Sequence, residues 1–314
     1  MGKSFLGKSF GFSIILLISS FIKAITPIAD VHFHPHPDIE PSKLLNLMDK
    51  NNINWSSGGE LTGGDSVRDS FKNYLGDRFL ALGGQSAYNK LYLRNGVSAM
   101  EDDTSYDFKN ILSSLRSDFE SGKIVGIGEL FLNNRSSNPK PKMRRKSNIF
   151  APTYQKLLDL VAEFNGVIQI HAQSDEDTLE QLSMLADYNP NGKIILAHCG
   201  SDSTADQIKN LMEKHQNIYC DLSFRHKPML KDKRIEKFPE SEIFDESSIH
   251  DDWKELIISM PDRFMVGTDT KVLKPYTKAV KNIRSGLLEN LPNDIAEKVA
   301  YKNAEIIFNH KYNP

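Results

Sequence analysis

The chain has 314 residues, 39% of them hydrophobic and 25% charged, which excludes a disordered polymer and fits one large domain or two small ones. A formal net charge of −2 excludes the global basic surface that nucleic acids or anionic membranes would require. Two cysteines, Cys199 and Cys220, are too few for a disulfide framework and fall in no zinc-binding spacing. Both sit in or beside apolar runs and read as buried free thiols.

Residues 1–24 read as a signal peptide. Lys3 and Lys8 form a basic leader, and 10–22 is an apolar run, short of the roughly 20 residues a spanning helix needs. Ala24 supplies a small residue for cleavage, whereas Ile22 and Lys23 are unusual there. An uncleaved membrane anchor and a buried helix therefore stay open beside periplasmic or secreted export. Residues 25–314 are expected to form a single domain.

From there the chain alternates short apolar runs with longer segments of helical period. Strand 28–34 precedes helix 41–50, strand 53–58 precedes helix 67–74, and strand 79–83 precedes helix 105–121. The next pairs are 124–131 with 151–165, 167–171 with 176–188, and 194–198 with 205–214. The last are 218–223 with 248–259 and 264–268 with 275–290, before a final helix over 294–308. In 154–164, Leu157, Leu158, Val161 and Ala162 share one helical face, and Gly166 stops the helix before VIQIH begins a strand. Eight such units are an α/β protein with a parallel sheet, either a (β/α)8 TIM barrel or a doubly wound open sheet. Two insertions, 133–148 and 225–246, follow strands 4 and 7 and in a barrel would project over the catalytic face. The first, NNRSSNPKPKMRRKSN, reads as a solvated basic loop, with a lid or an anion-attracting rim as the alternative.

Side chains two apart on a strand share a face, so His32 and His34 aim the same way. Paired imidazoles on a rigid strand are a natural start for a metal site. His171 ends VIQIH, His198 ends IILAH, and Asp269 follows FMVGT. Each stands at the carboxyl end of its strand. A closed barrel gathers those ends around one mouth, whereas an open sheet cannot bring strands 1, 5, 6 and 8 to a point, so the barrel is preferred. Glu129 closes GIGE in strand 4, where burial without a positive partner would be costly and a metal is the natural counter-charge. Weaker candidates are His36, between prolines, Glu60 after SSGG, and Arg225 after CDLSF, which would take an anionic substrate group bidentately. His215, His226, His250 and His310 read as surface residues.

With HFH on strand 1, single histidines ending strands 5 and 6, and Asp in GTD on strand 8, the chain resembles the amidohydrolase superfamily along its whole length after the leader. KNAEIIF, 302–308, is similar to the final-helix segment of the amidohydrolase-related and TatD-like branches, with Asn303 in a structural role. Glu129 in its GE pair resembles the TatD-like pattern, in which a strand-4 Glu ligates metal. Strand 4 offers no candidate for a carboxylated Lys, and Asp269 is followed by Thr270 and Lys271 rather than by the D-x-H of PHP phosphoesterases.

The resemblance implies a metal-dependent hydrolase with one or two divalent ions. Zn²⁺ is the expected metal, with Mn²⁺, Mg²⁺ and Fe²⁺ as alternatives. His32, His34, His171 and Asp269 would hold one ion, or Glu129 would share a pair with His171 and His198. Bound water, with a pKa near about 7 on Zn²⁺, would attack an amide, ester, lactone or phosphoester of a small molecule. Asp269 would shuttle the proton, and His198 would hold the second ion or polarise the substrate oxygen. The alternatives are a metal-dependent decarboxylase of the amidohydrolase-related branch and a non-catalytic exported metal- or ligand-binding barrel. TatD-like nuclease activity fits Glu129, but the net charge and the leader argue against nucleic acid as the main partner.

Overall fold

In the computed structural model residues 25–135, 140–226, 229–230 and 241–313 are described. The signal peptide expected at 1–24 lies outside them, as do parts of both insertions. Eight parallel strands run in chain order: β1 (Ile28–Asp30), β2 (Ile53–Gly58), β3 (Phe79–Gly84), β4 (Gly126–Asn133), β5 (Val167–Ala172), β6 (Lys193–Leu196), β7 (Ile218–Asp221) and β8 (Phe264–Met265). Each ladder joins neighbours in sequence, because each helical crossover returns the chain one strand further round. Backbone bonds then link the last strand to the first: Val31 N–H to Val266 O, His34 N–H to Thr270 O and Asp269 N–H to His32 O, at 3.0, 3.0 and 2.7 Å. This is the (β/α)8 TIM barrel, and a doubly wound open sheet is ruled out.

The core has two layers. Between sheet and helices lies a continuous apolar shell that includes Leu44, Phe71, Leu157, Leu158, Val161 and Ile208. Inside the barrel, Ala29, Val31, Trp55, Leu82, Ile195 and Met265 pack with Ala304, Ile307 and Phe308 of the C-terminal helix. Trp55 and Phe308 meet with ring centroids 5.4 Å apart, so that helix plugs the end where the strands begin. Asn303 fastens it there by donating to the carbonyls of Pro261 and Phe264 at 2.7 and 2.8 Å, the structural role expected of it. Cys199 and Cys220 are free and buried. Among the described residues no helix is long and apolar enough to cross a membrane.

Two features depart from expectation. After the expected helices α1 (Pro41–Lys50) and α2 (Asp65–Leu75), a 17-residue helix, α3 (Gln85–Glu101), follows β3 where none was anticipated; its buried positions include Gln85, Ser86 and Asn89, and Gly96 interrupts it at φ 78°. Mixed polarity on the buried side erased the amphipathic signal. β1 also ends at Asp30, because from Val31 onward the backbone bonds alternately to β8 and β2, with Phe33 N–H reaching Ser57 O at 2.8 Å.

Candidate metal centre

The six side chains expected to ligate metal meet at the carboxyl ends of the strands. One donor atom each from His32, Glu129, His198 and Asp269 lies within 4.8 Å of all the others. His34 joins them with Nε2 3.0 Å from Asp269 Oδ1 and 3.5 Å from Glu129 Oε2. His171 places Nδ1 2.7 Å from Glu129 Oε1 and Nε2 3.2 Å from Ser201 Oγ. Glu129 is thus in contact with four imidazoles, since His198 Nε2 is also 3.2 Å from Oε1 and His32 Nε2 3.5 Å from Oε2.

Glycines let the backbones come this close. A Cβ on Gly267 would meet the His32 Cβ at 2.6 Å, one on Gly128 would meet Gln169 O at 2.5 Å, and one on Gly59 would meet Gly128 O at 1.9 Å. The glycines of GTD and GIGE therefore belong to the same design as the acids beside them. His198 and Asp269 both stand in left-handed backbone, at φ 58° and 49°, a conformation rare for such residues and concentrated at functional sites.

Behind the ligands sits Asp221, at the end of β7 and fully buried. Its Oδ2 is 3.1 Å from His32 Nδ1 and accepts from Gln169 Nε2 at 3.0 Å. Oδ1 accepts from the backbone N–H of His198 at 3.2 Å and from the Ser223 hydroxyl, and Ser223 Oγ lies 2.8 Å from His198 Nδ1. Two imidazoles are thereby anchored through Nδ1, leaving both Nε2 atoms facing the centre; a carboxylate behind a metal-bound histidine acts in this way. Asp221→Asn is expected to cost about 10–100-fold in metal affinity while leaving the far-ultraviolet circular dichroism unchanged. Full metal occupancy in that variant after dialysis would show that Asp221 does not set the ligand geometry.

The electrostatics call for a cation. Burial opposes protonation of His34, yet its bonds to Asp269 and Glu129 push its pKa up to about 9. His32 rises well above the ordinary histidine value, also against burial, through Asp221 and Glu129. Glu129 and Asp221 are held well below the usual carboxylate range by the imidazoles around them, although burial pulls the other way. Positive charge is stabilised here in whatever form it arrives. His32 Nε2 is buried without a hydrogen-bond partner among the described residues, and the Glu129 and Asp269 oxygens stand 3.5 and 3.6 Å from it, so electron-pair donors converge where a cation fits. Histidine and carboxylate donors at this spacing fit a divalent metal ion.

Arg225 does not reach this centre. Its guanidinium is fully buried over the Trp253 ring, 4.8 Å from the centroid. Nη1 donates to the carbonyls of His198 and Gly200 at 3.3 and 3.0 Å, Nη2 to Ser203 O at 2.7 Å and Nε to Ser241 O at 3.1 Å. It holds the loop that carries His198 and is corrected from substrate ligand to structural residue. Phe224, at φ 62°, turns the chain so that Arg225 points back toward β6. Glu60 is buried, and burial raises its pKa to about 7 against the pull of Arg68. Among the described residues no hydrogen bond or ion pair joins it to the ligand set. His36 lies on the loop, with Nδ1 accepting from the Asp38 N–H at 3.2 Å. His215 and His226, read as surface, are buried: His215 Nε2 meets Ser183 Oγ at 2.6 Å, and His226 stacks on Phe244 at 4.6 Å. Asp221, Ser223, Gln169 and Ser201 went unnoticed in the sequence. Asp221 carried a signal, for it ends an apolar strand just as His171 does.

The fold and donor set define a metal-binding (β/α)8 barrel. A family model described as amidohydrolase matches residues 106–309, and the chain belongs to that family. No curated protein sequence matches the chain. Among solved structures, an amidohydrolase from Burkholderia multivorans with bound HEPES superposes with a TM-score of 0.59 at 10% identity, over 91% of this chain and 100% of its own. A 2,6-dihydroxybenzoate decarboxylase from Rhizobium gives 0.53 at 13% identity, over 91% and 99%. A dihydroxybenzoic acid decarboxylase from Polaromonas sp., with bound manganese and the inhibitor 2-nitroresorcinol, gives 0.50 at 14% identity, over 91% and 97%. At these identities the likeness is one of fold.

Proposed function

We propose that the protein is a metal-dependent hydrolase of small molecules containing an amide, ester, lactone or phosphoester bond, acting after export. The observation that carries the reading is His32 Nε2, buried and without a hydrogen bond among the described residues, with Glu129 and Asp269 oxygens 3.5 and 3.6 Å away. His32, His34, Glu129, His171, His198 and Asp269 would hold one or two divalent ions, Zn²⁺ by donor type, with Mn²⁺ as the alternative. When bound, such an ion supplies Lewis acidity toward water and toward the substrate oxygen.

The chain's own residues divide the remaining work. Glu129 is sealed, at 1% side-chain exposure, whereas Asp269 is 17% exposed and is the carboxylate of the set that meets the mouth. Its Oδ1 is engaged by His34 Nε2, so Oδ2 takes the proton of the attacking water and returns it to the leaving group. His198 Nε2, 3.9 Å from that oxygen, orients the substrate or completes a second ion site. Glu129 favours hydrolysis over the decarboxylation named for two of the structural neighbours, because it gives the site a second carboxylate with which to share two ions.

Chelator treatment followed by dialysis is expected to abolish hydrolysis across a panel of amides, esters, lactones and phosphodiesters, and added Zn²⁺ or Mn²⁺ to restore it. Asp269→Asn should keep the fold and lower kcat by about a thousandfold. Activity that survives chelation, or an Asp269→Asn enzyme with wild-type rates, rejects the reading. Release of CO2 without hydrolysis assigns the centre to decarboxylation.

A further inference from the structure

The basic run over 133–148 contributes one cation unlike its neighbours. Arg135 and Lys146 are neutralised at the rim, both by Asp175 at 3.2 and 2.8 Å, and Lys146 also by Asp177. Arg145 is instead only 3% exposed, and among the described residues no carboxylate lies within ion-pair distance of it. Its Nε donates to Phe131 O and its Nη2 to Asn89 Oδ1 at 2.7 Å. Nη1 is buried and has no partner among the described residues. The guanidinium plane lies against Tyr92 and Phe131, at 4.6 and 5.6 Å from the ring centroids. Burial draws its pKa down only to about 10, so the group is charged at neutral pH. Glu129 acts on it only from beyond ion-pair distance, and a buried cation with an unused donor and no direct ion pair is costly unless a ligand supplies the anion.

Its position puts that ligand beside the metal centre. Phe131, which accepts from Arg145, meets the His171 ring edge-on at 5.1 Å. Asn89, the other acceptor, stands one helical turn beyond Gln85 on the same flank of α3. Both amide atoms of Gln85 are buried and unpartnered among the described residues. Gln85 Oε1 is 2.8 Å from where a Cβ on Gly59 would stand, and Gly59 O accepts from His34 Nδ1. Unused donors from the exits of β3 and β4 therefore flank the ligands His34 and His171.

We propose that Arg145 and Gln85 form a specificity subsite that receives a carboxylate of the substrate, remote from the bond that is cleaved. Arg145 Nη1 and Gln85 Nε2 are the donors the carboxylate would meet, the first through a charge-assisted hydrogen bond. The assignment of a cleaved bond rests on the hydrolase reading; the subsite itself does not.

The test is calorimetric binding to metal-loaded protein of the monoamides of malonic to pimelic acid, each beside its neutral diamide. At one chain length the monoamide is expected to bind wild type at least about tenfold more tightly than the diamide, as a charge-assisted contact would give. Arg145→Gln should bring that ratio within about twofold and Arg145→Lys should keep part of it. Gln85→Glu, which sets a like charge beside the incoming carboxylate, should remove the preference even if Arg145→Gln does not fold. Equal binding of acid and amide at every length overturns the proposal. So does a preference that persists in both Arg145→Gln and Gln85→Glu, which would place the carboxylate on the metal. Amide hydrolysis is followed separately: selective binding without turnover counts against the hydrolase and for the subsite, and indiscriminate turnover does the reverse.

Discussion

Glu129→Gln is expected to lower divalent-ion affinity by at least about a hundredfold and to remove hydrolysis with it. The two oxygens of Glu129 contact His32, His34, His171 and His198, so one carboxylate touches all four imidazoles of the centre. Glutamine keeps its volume and its place in the buried strand but replaces an acceptor with an N–H donor. That donor faces imidazole nitrogens already oriented toward the same point, and the negative charge that attracts the ion is gone. Metal content after dialysis against graded chelator concentrations gives the affinity directly. An unchanged metal content would mean that Glu129 lies beside the centre without contributing to it.

Arg225→Met is expected to destabilise the fold by about 3–5 kcal/mol, since several buried carbonyls lose their donor at about 1–3 kcal/mol each. The guanidinium is the partner of carbonyls at His198, Gly200, Ser203 and Ser241. Three consecutive residues, His198, Cys199 and Gly200, hold left-handed backbone at φ 58°, 49° and 68°, and Arg225 collects the carbonyls they expose. Methionine fills part of the space over Trp253 but leaves buried acceptors unsatisfied. The β6 loop would then relax toward ordinary backbone, carrying His198 away from Glu129. Calorimetric unfolding of the metal-free protein isolates the effect from metal loss. A variant that melts like wild type but shows a raised KM would return Arg225 to the anion-binding role first read for it.

Most of the barrel could be read in the chain because its signals are local. Runs such as VIQIH and IILAH are buried on both faces and carry their chemical residue at the last position, so strand, direction and mouth come together. The ligand set was legible for the same reason. What escaped depends on three-dimensional direction. CDLSFR shows an arginine after a strand, but only the left-handed Phe224 sends it away from the mouth. Asp221 sits among apolar residues and acts through two histidines, so no neighbour in sequence reveals its task. α3 buries Gln85, Ser86 and Asn89 against the strand exits, and a polar buried flank looks from sequence like a loop. Arg145, part of a basic run that reads as solvated, is buried because Phe131 and Tyr92, 14 and 53 positions earlier in the chain, close over it.

The central claim is that His32, Glu129, His198 and Asp269 surround a divalent ion. Anomalous diffraction from crystals grown with Zn²⁺ or Mn²⁺, recorded above and below the metal edge, tests it most directly. The account predicts a peak among these four side chains, about 2.0–2.2 Å from His32 Nε2, that is absent from Glu129→Gln crystals. A map empty at this point in metal-grown crystals, or a peak confined to the Asp175 rim, would contradict it.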